Sequence, residues 1–128
     1  MPDTVVLDSS AVLALIQNEP GSAKVKTVTA SALLSSVNLC EIHSKLIHKG
    51  IAATDSWNKI STLQCDVCAF TGEQGKVAAE LIQITRPLGL SLGDRACLAL
   101  AIERKATVYT ADRNWKNLSL GIEIEVIR

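Results

Sequence analysis

The sequence predicts a three-layer α/β/α sandwich with a mostly parallel central sheet, built as a single domain over residues 1–128. The first observation behind this prediction is the apolar run Val5-Val6-Leu7, whose lack of polar alternation suits a strand buried on both faces. The second is that runs of this kind alternate along the chain with helical patterns. The third is composition: 48% of the residues are hydrophobic but only 3% are aromatic, so Leu, Ile, Val and Ala must form the core.

The first half of the chain contains two predicted strands separated by helical segments. Ser9 or Ser10 can cap the helix after the first strand, and residues 18–21 have the residue types of a turn. Apolar residues then recur at helical spacing until Gly50 ends the helix. The predicted elements are a strand ending at Asp8, a helix to about 17, a short helix or loop at 22–28, a strand at 31–35, and helices at 37–49 and about 55–62, the last capped by Thr54 or Asp55.

The second half continues the alternation of strands and helices. Thr71-Gly72-Glu73 opens a helix that Pro87 stops, because proline cannot continue the helical hydrogen-bond ladder. The predicted elements are a strand at 63–70, the helix after Thr71, an apolar helix at 96–102, a strand at 107–110, a short helix at 113–118 and a last strand at 122–127.

Charge and cysteine content narrow the class of protein. Thirteen basic and thirteen acidic residues cancel, so any contact with nucleic acid must come from a local cluster of charge. No segment approaches the ~20 apolar residues of a membrane span, and the first apolar run is too short for a secretory signal. We therefore expect a cytoplasmic protein without a membrane partner. Its cysteines are expected to be reduced thiols, with Cys40 and Cys97 buried in helices.

Four carboxylates are candidates for chemistry: Asp8, Glu41, Asp94 and Asp112. Each has an ordinary structural explanation. Asp8 and Asp112 precede helices, where an acid often caps free amide groups. Asp94 follows Ser91 at the spacing of a capping box, and Glu41 can pair with a lysine one helical turn later, Lys45.

The joint placement of these acids favours a shared site. Asp8 and Asp112 fall at the carboxyl ends of two predicted strands, and Asp94 opens a helix that would start at the same edge, where open α/β sheets bind ligands. Glu41 lies between apolar neighbours, an expensive place for an unpaired charge. Acids that converge repel one another, and a hard divalent cation relieves that repulsion. The sequence thus predicts a site for one or two Mg²⁺ or Mn²⁺ ions, of the kind that serves phosphoryl chemistry.

Other polar residues are expected to support this site. Ser10 and Thr110 can hydrogen-bond the carboxylates and so orient them. Arg95, Arg113 and Lys116 lie beside the acids in sequence and are candidates for contacts to phosphate groups. Any one of these three cations taken alone is more often solvated surface charge.

Four short motifs resemble those of a known family. They are Val-Leu-Asp8-Ser-Ser-Ala, Ser35-x₅-Glu41, Leu-Gly-Asp94-Arg-Ala-Cys-Leu-Ala-Leu-Ala and Tyr-Thr-Ala-Asp112-Arg-Asn-Trp. In order, spacing and local context they resemble the successive acidic motifs of PIN domains, with the closest similarity to toxins of the VapC type. The resemblance covers nearly the whole chain.

This resemblance implies a metal-dependent endoribonuclease, with Asp8, Glu41, Asp94 and Asp112 as an acidic pocket that binds Mg²⁺ or Mn²⁺. It also implies a homodimer and a cognate antitoxin, whose tail lies in a groove between helices and occludes the site. One departure concerns a further acid that many relatives carry shortly after the position of Asp112. Here Asn114, Trp115 and Lys116 stand in that region, which puts a second metal ion in question.

Two alternative functions remain at this point. A non-catalytic PIN-like binding module would use the same acids to bind a cation or the arginines of a partner. A phosphoryl-aspartate protein would use Asp8 as nucleophile or metal ligand. Haloacid-dehalogenase-like phosphatases of that class need a second Asp two residues later, where this chain has Ser10. A receiver domain would need paired acids at the end of the first strand, and Asp8 has no acidic neighbour.

Overall fold

The computed structural model describes residues 4–128 as an alternation of strands and helices. The strands are β1 (Val5–Leu7), β2 (Leu33–Ser35), β3 (Asp66–Cys68), β4 (Thr107–Thr110) and β5 (Ile124–Val126). The helices are α1 (Ser9–Ile16), α2 (Ser22–Lys26), α3 (Ser36–His48), α4 (Ala53–Ser61), α5 (Gly72–Thr85) and α6 (Leu92–Arg104). Short 3-10 segments cover Thr29–Ser31, Arg86–Leu88 and Arg113–Asn117. Within these described residues, no helix is both long and apolar enough to cross a membrane.

The strands form one parallel sheet in the order β3-β2-β1-β4-β5. β1 is central, since Val6 is in register with Leu33 of β2 on one side and with Val108 of β4 on the other. The chain builds the sheet outward from β1 to β3 and then returns to add β4 on the opposite side. The strand order therefore reverses at β1, which is where an open α/β sheet forms a ligand crevice at its carboxyl edge.

Helices cover both faces of this sheet, because alternate residues of each buried strand point to opposite sides. Leu7 of β1 packs with Val12 and Ile42 in a core beneath α1, α2, α3 and α4. Val6 faces the other way and packs with Leu98 and Trp115 in a second core beneath α5 and α6. The predicted three-layer α/β/α sandwich with a parallel sheet is confirmed.

Several strands are shorter than the sequence predicts. The predicted strand at 31–35 starts only at Leu33, because residues Thr29–Ser31 form a 3-10 turn. Of the predicted strand at 63–70, only Asp66–Cys68 pairs, since this edge strand has a single neighbour that is itself three residues long. The last strand likewise spans Ile124–Val126 rather than 122–127. The apolar alternation identified each strand but not the limits of its pairing.

Two of the predicted helix caps are wrong. Helix α1 begins at Ser9 itself, so neither Ser9 nor Ser10 is the capping residue, and their hydroxyls bond elsewhere. Helix α4 begins one residue before Thr54, which places both Thr54 and Asp55 in its first turn. By contrast, the Thr71 hydroxyl does cap α5 by accepting a bond from the Gln74 amide at 3.1 Å.

The two helical cysteines differ in exposure. Cys97 is fully buried in α6, as predicted, but Cys40 is exposed on α3, so the prediction of a buried thiol is wrong there. Helix α3 buries only the stripe formed by Asn38, Ile42 and Leu46, whose spacing of four residues follows one face of a helix. Apolar residues on the other faces of α3 are the reason why the sequence predicted a helix buried around most of its circumference.

Candidate active site

Asp8 lies at the carboxyl end of β1, with only 3% of its surface exposed. Its amide donates to the Tyr109 carbonyl at 3.0 Å, which extends the β1–β4 ladder by one residue and fixes the backbone there. Its Oδ2 accepts hydrogen bonds from Ser10 Oγ at 2.6 Å and from Thr110 Oγ1 at 2.9 Å. The carboxylate makes no capping bond to α1. Asp8 occupies the N-cap position of α1, but capping does not account for its carboxylate.

The environment of Asp8 disfavours its negative charge. Burial raises the pKa of its carboxyl group from 3.8 to about 6, with the nearby Asp94 carboxylate adding to the rise. The hydrogen bonds from Ser10 and Thr110 lower this pKa, but by less than burial raises it. Within residues 4–128, no Lys or Arg forms an ion pair with Asp8. The site thus holds a desolvated acid beside a second acid without a protein cation.

Asp94 combines a structural contact with a place beside Asp8. Ser91 and Asp94 form the predicted capping box, in which the Ser91 amide donates to Asp94 Oδ2 at 3.0 Å and the Asp94 amide donates to Ser91 Oγ at 3.2 Å. This box starts α6 at Leu92 and aims its first turn at the carboxyl edge of the sheet. The capping explanation of Asp94 is confirmed, and it does not exclude a second role.

Glu41 projects from α3 towards the first turn of α6. Its Oε1 accepts a hydrogen bond from Ser9 Oγ at 2.6 Å and another from Asn38 Nδ2 at 3.1 Å. The carboxylate lies directly against the α-carbon of Gly93, where a β-carbon would overlap it. No ion pair to Lys45 forms in the described chain, so the predicted surface pair is wrong.

Asp112 is connected to Asp8 through Thr110. Its Oδ1 accepts from the Asn114 amide at 3.0 Å and so caps the 3-10 segment Arg113–Asn117, as its ordinary explanation predicts. Its amide donates to Thr110 Oγ1 at 3.1 Å, and the same hydroxyl donates to Asp8. Ser10 ties the same region together, because its Oγ accepts from the Ala111 amide at 2.9 Å. The two hydroxyl residues expected to orient the acids are thus in contact with them.

The charges of three of the acids act on the buried Cys97 thiol of α6. Burial is the main reason that the pKa of the Cys97 thiol lies well above its usual value, and the charges of Asp8, Asp94 and Glu41 add to the effect. The charges of these three carboxylates therefore act on the same buried thiol, and Asp112 is linked to Asp8 through the hydrogen bonds of Thr110. In the part of the chain that is described, no three His, Cys, Asp or Glu side chains are close enough together to hold a metal ion by themselves.

The three cations expected near the acids have different surroundings. Arg95 is partly buried against α5, where its Nη1 donates to the Ala78 carbonyl at 2.8 Å. Arg113 is exposed, and its Nε donates to the Arg128 carbonyl at 3.1 Å. Lys116 is exposed in the same 3-10 segment. Arg113 and Lys116 thus lie on the surface next to Asp112, whereas Arg95 is engaged in helix packing.

Sequence reasoning missed three residues of this site: Ser9, Asn38 and Gly93. Ser9 has the residue type of a helix cap, which hides its other use. Asn38 precedes Glu41 by three residues on one helix, a spacing at which side chains meet, so this pair could have been found. Gly93 carried no signal, because nothing local shows that a side chain from another helix covers it.

Comparisons with known proteins agree with this architecture. The sequence model of the PIN domain matches residues 5–120. No curated protein matches the sequence. Among solved structures, DNA-bound VapBC from Salmonella typhimurium has a TM-score of 0.76 at 18% identity, covering 97% of this chain and 98% of that chain.

Two further structures are similar at comparable identity. VapBC2 from Rickettsia felis, bound to a DNA fragment from its promoter, has a TM-score of 0.73 at 18% identity and covers 95% of this chain and 97% of that chain. The Mycobacterium tuberculosis toxin VapC20, which cleaves the sarcin-ricin loop, has a TM-score of 0.73 at 17% identity and covers 94% of this chain and 99% of that chain. These likenesses establish the fold. Because the matched sequence region spans nearly all of the chain, the protein belongs to the PIN domain family.

Proposed function

We propose that this protein is a metal-dependent endoribonuclease that acts as the toxin of a toxin–antitoxin pair. Membership of the PIN domain family and the likeness to structures named as VapBC complexes and as a toxin that cleaves the sarcin-ricin loop support this proposal. The observation that carries it is the buried Asp8 carboxylate, which lies beside Asp94 at the crevice of the sheet with no protein cation to neutralise it among residues 4–128. Folding alone gives no reason to bury a charge in that way.

The donor chemistry of the acids fits a hard divalent cation. Mg²⁺ prefers carboxylate oxygens, typically one or two together with several waters, and does not require a closed cage of protein ligands. Asp8, Glu41, Asp94 and Asp112 would hold one or two Mg²⁺ or Mn²⁺ ions. Such an ion, when bound, lowers the pKa of a water molecule and stabilises negative charge on the scissile phosphate.

The chain itself would orient the acids and the substrate. Ser10 and Thr110 direct Oδ2 of Asp8, and the capping box holds Asp94 at the start of α6. The exposed side chains of Arg113 and Lys116 would contact backbone phosphates of RNA beside the acids, since a neutral protein can bind a polyanion through a local cluster of charge. No side chain of the protein is needed as a nucleophile.

The proposed partners are the RNA substrate, a cognate antitoxin and a second copy of the chain, all in the cytoplasm. A mostly apolar groove of about 590 Å³ opens beside Glu41 between α3 and the first turn of α6, with Val37, Cys40 and Leu92 among its lining residues. We assign the tail of the antitoxin to this groove, because a segment bound there would lie against Glu41 and block access to the acids.

The experiment that tests this function is cleavage of total cellular RNA by the purified protein with Mn²⁺, with Mg²⁺ or with EDTA. Asp94→Asn is tested beside it, and Asp55→Asn, which changes an exposed acid of α4, serves as a matched control. We expect cuts at discrete positions that need both a divalent ion and Asp94, with Asp55→Asn behaving as wild type.

A non-catalytic binding module is the second candidate. The observation that favours it is the lack, within residues 4–128, of three acidic side chains close enough to hold an ion together. If the folded protein leaves all RNA uncut with Mn²⁺ and with Mg²⁺, this second function replaces the first.

A further inference from the structure

Glu41 is held by a buried asparagine that no sequence motif identified. Asn38 is fully buried, and its Nδ2 lies 3.1 Å from Ser9 Oγ, 3.1 Å from Glu41 Oε1 and 3.0 Å from the Gly93 carbonyl oxygen. These acceptors belong to α1, α3 and α6. One amide group therefore ties the carboxylate to the three helices that border the crevice.

Ser9 completes this network. Its hydroxyl accepts from Asn38 and donates to Glu41 Oε1 at 2.6 Å, so the directions of both bonds are fixed. Both donors engage the same carboxylate oxygen, Oε1, and leave Oε2 for other partners. Two hydrogen bonds from uncharged groups fix the orientation of the carboxylate without neutralising its charge, so a further ligand can bind it.

The burial of Asn38 is not explained by folding alone. Its Oδ1 is buried and has no hydrogen-bond partner among the described residues. A buried acceptor without a partner destabilises the folded state, and an apolar residue of similar size would avoid that loss. Among the described residues, the side chain of Asn38 forms hydrogen bonds through Nδ2 and not through Oδ1.

Gly93 makes room for the same carboxylate. It is the second residue of α6 and has no left-handed backbone conformation, so its backbone does not require glycine. Alanine is a better helix former than glycine. A β-carbon at position 93 would nevertheless overlap the carboxylate of Glu41. The glycine is thus required by a side chain from another helix.

We propose that Asn38 and Gly93 are positioning residues of the active site, which together fix the Glu41 carboxylate over the first turn of α6 so that it can bind the divalent ion. The part of this proposal that concerns metal binding rests on the proposed function. Neither residue touches substrate. Both act on metal binding through Glu41, so their effects on Mn²⁺ affinity must disappear when the Glu41 carboxylate is removed.

Gly93→Ala tests the steric part of the proposal. We expect Mn²⁺ affinity, measured by titration with electron paramagnetic resonance detection, to fall by about 10-fold or more, the usual cost of disturbing the support of a metal ligand. The matched control is Gly75→Ala in α5, where a β-carbon would make only ordinary contacts of 3.8 Å with the Phe70 ring. That variant should bind Mn²⁺ as wild type does.

The melting temperature distinguishes positioning from a general packing role and needs no metal. In EDTA, Gly93→Ala should lower the melting temperature when Glu41 is present. In the Glu41→Ala background, the same change should leave the melting temperature unchanged or raise it, because the overlapping group is gone and alanine favours the helix. An equal loss in both backgrounds would overturn the proposal.

Asn38→Asp tests the hydrogen-bonding part. The new carboxylate cannot donate to Glu41 and repels it, so both the melting temperature and Mn²⁺ affinity should fall. In the double variant Asn38→Asp/Glu41→Gln, the amide introduced at position 41 can donate to the new acid. The melting temperature should then recover in part, since the bond to the Gly93 carbonyl stays lost, while Mn²⁺ affinity does not recover. Asn58→Asp on the exposed face of α4 is the control and should change neither quantity.

The outcomes separate this proposal from the function on which it rests. If Glu41→Ala lowers Mn²⁺ affinity but Gly93→Ala and Asn38→Asp do not, the positioning role is wrong while the metal site stands. If Glu41→Ala leaves Mn²⁺ affinity unchanged, Glu41 is not a ligand and the proposal falls together with that part of the proposed function. If all three variants lose affinity and the melting shifts depend on Glu41, the positioning role is supported.

Discussion

The Thr110 hydroxyl donates a 2.9 Å hydrogen bond to Oδ2 of Asp8, although the two residues are 102 positions apart in the sequence. Parallel pairing of β1 with β4 creates this contact, since the register that aligns Leu7 with Tyr109 brings the next residue of each strand to the same edge. Thr110 is fully buried and also accepts from the Asp112 amide. Its hydroxyl therefore joins two of the candidate acids.

Thr110→Val should destabilise the protein without changing its fold. Valine keeps the shape of threonine but removes the donor to Asp8 and the acceptor for Asp112, and a lost hydrogen bond to a charged group costs about 1.5–3 kcal/mol. We expect a loss of that size in the free energy of unfolding, measured by urea denaturation near neutral pH. Thr110→Ser keeps the hydroxyl and should lose clearly less. Equal losses for the two variants would show that the methyl group, and not the hydroxyl, matters here.

The stability of the metal-free protein should fall as pH rises through the titration of Asp8. The pKa of this carboxyl group is about 6 in the folded protein against 3.8 ordinarily, so the folded state binds the proton more tightly than the unfolded chain. Stability from this group is fully present below pH 3.8 and is lost as pH rises to about 6. Each unit of difference between the folded and unfolded pKa corresponds to about 1.4 kcal/mol. The difference between 3.8 and about 6 therefore corresponds to a loss of stability on the order of 3 kcal/mol.

Asp8→Asn isolates this effect, because the amide keeps an acceptor for Ser10 and Thr110 but carries no charge. In EDTA, the variant should be more stable than wild type at pH 7, and the difference should vanish at low pH. Chemical denaturation of both proteins across this pH range gives the comparison. A variant that is less stable than wild type at pH 7 would contradict the raised pKa.

Divalent ions should largely cancel that difference in stability. An ion that binds only the folded protein stabilises it by mass action, by about 2.7 kcal/mol at a concentration 100 times the dissociation constant. We expect Mn²⁺ or Mg²⁺ to raise the melting temperature of wild type and to have little effect on Asp8→Asn. The absence of a shift in wild type at millimolar Mn²⁺ would count against a preformed site.

Arg113 and Arg95 should differ in what they contribute. Arg113→Ala should weaken RNA binding and reduce its dependence on salt, because each lost phosphate contact lowers the salt slope by about one. Arg95→Ala should instead lower the free energy of unfolding by about 1–2 kcal/mol, since Arg95 donates to the Ala78 carbonyl in the contact between α5 and α6. Lys59→Ala on α4 is the control for charge alone. Binding to a labelled RNA at several salt concentrations tests the first expectation, and a similar salt slope for Arg113→Ala and wild type would reject it.

Prediction from the sequence succeeded for features that depend on residues close together in the chain. The alternation of apolar strands and helices predicted the parallel sandwich, and the capping-box spacing of Ser91 and Asp94 predicted a contact that the structure shows. The placement of Asp8 at the end of β1 followed from the length of the apolar run before it. Each of these features is local, so a short stretch of sequence contains the information.

Features that depend on distant segments could not be predicted in this way. Ser9 has the residue type of a helix cap, yet its hydroxyl bonds to Glu41, 32 residues away. The requirement for Gly93 comes from a side chain of α3, and the exposure of Cys40 depends on which side of α3 meets the sheet. Tertiary packing decides these cases. The site acids were recognised because they share a motif pattern, and Ser10 and Thr110 were recognised with them, while Ser9, Asn38 and Gly93, which surround Glu41, were not.

The central position of β1 has a consequence for protein synthesis. Asp8 leaves the ribosome 102 residues before its partner Thr110, and parallel pairing over such a separation forms slowly. A nascent chain therefore carries no assembled acidic pocket until α6 and β4 have both emerged. Products of translation interrupted before Thr110 should be inert towards RNA, so any activity of this site begins only after the β4 segment has been made.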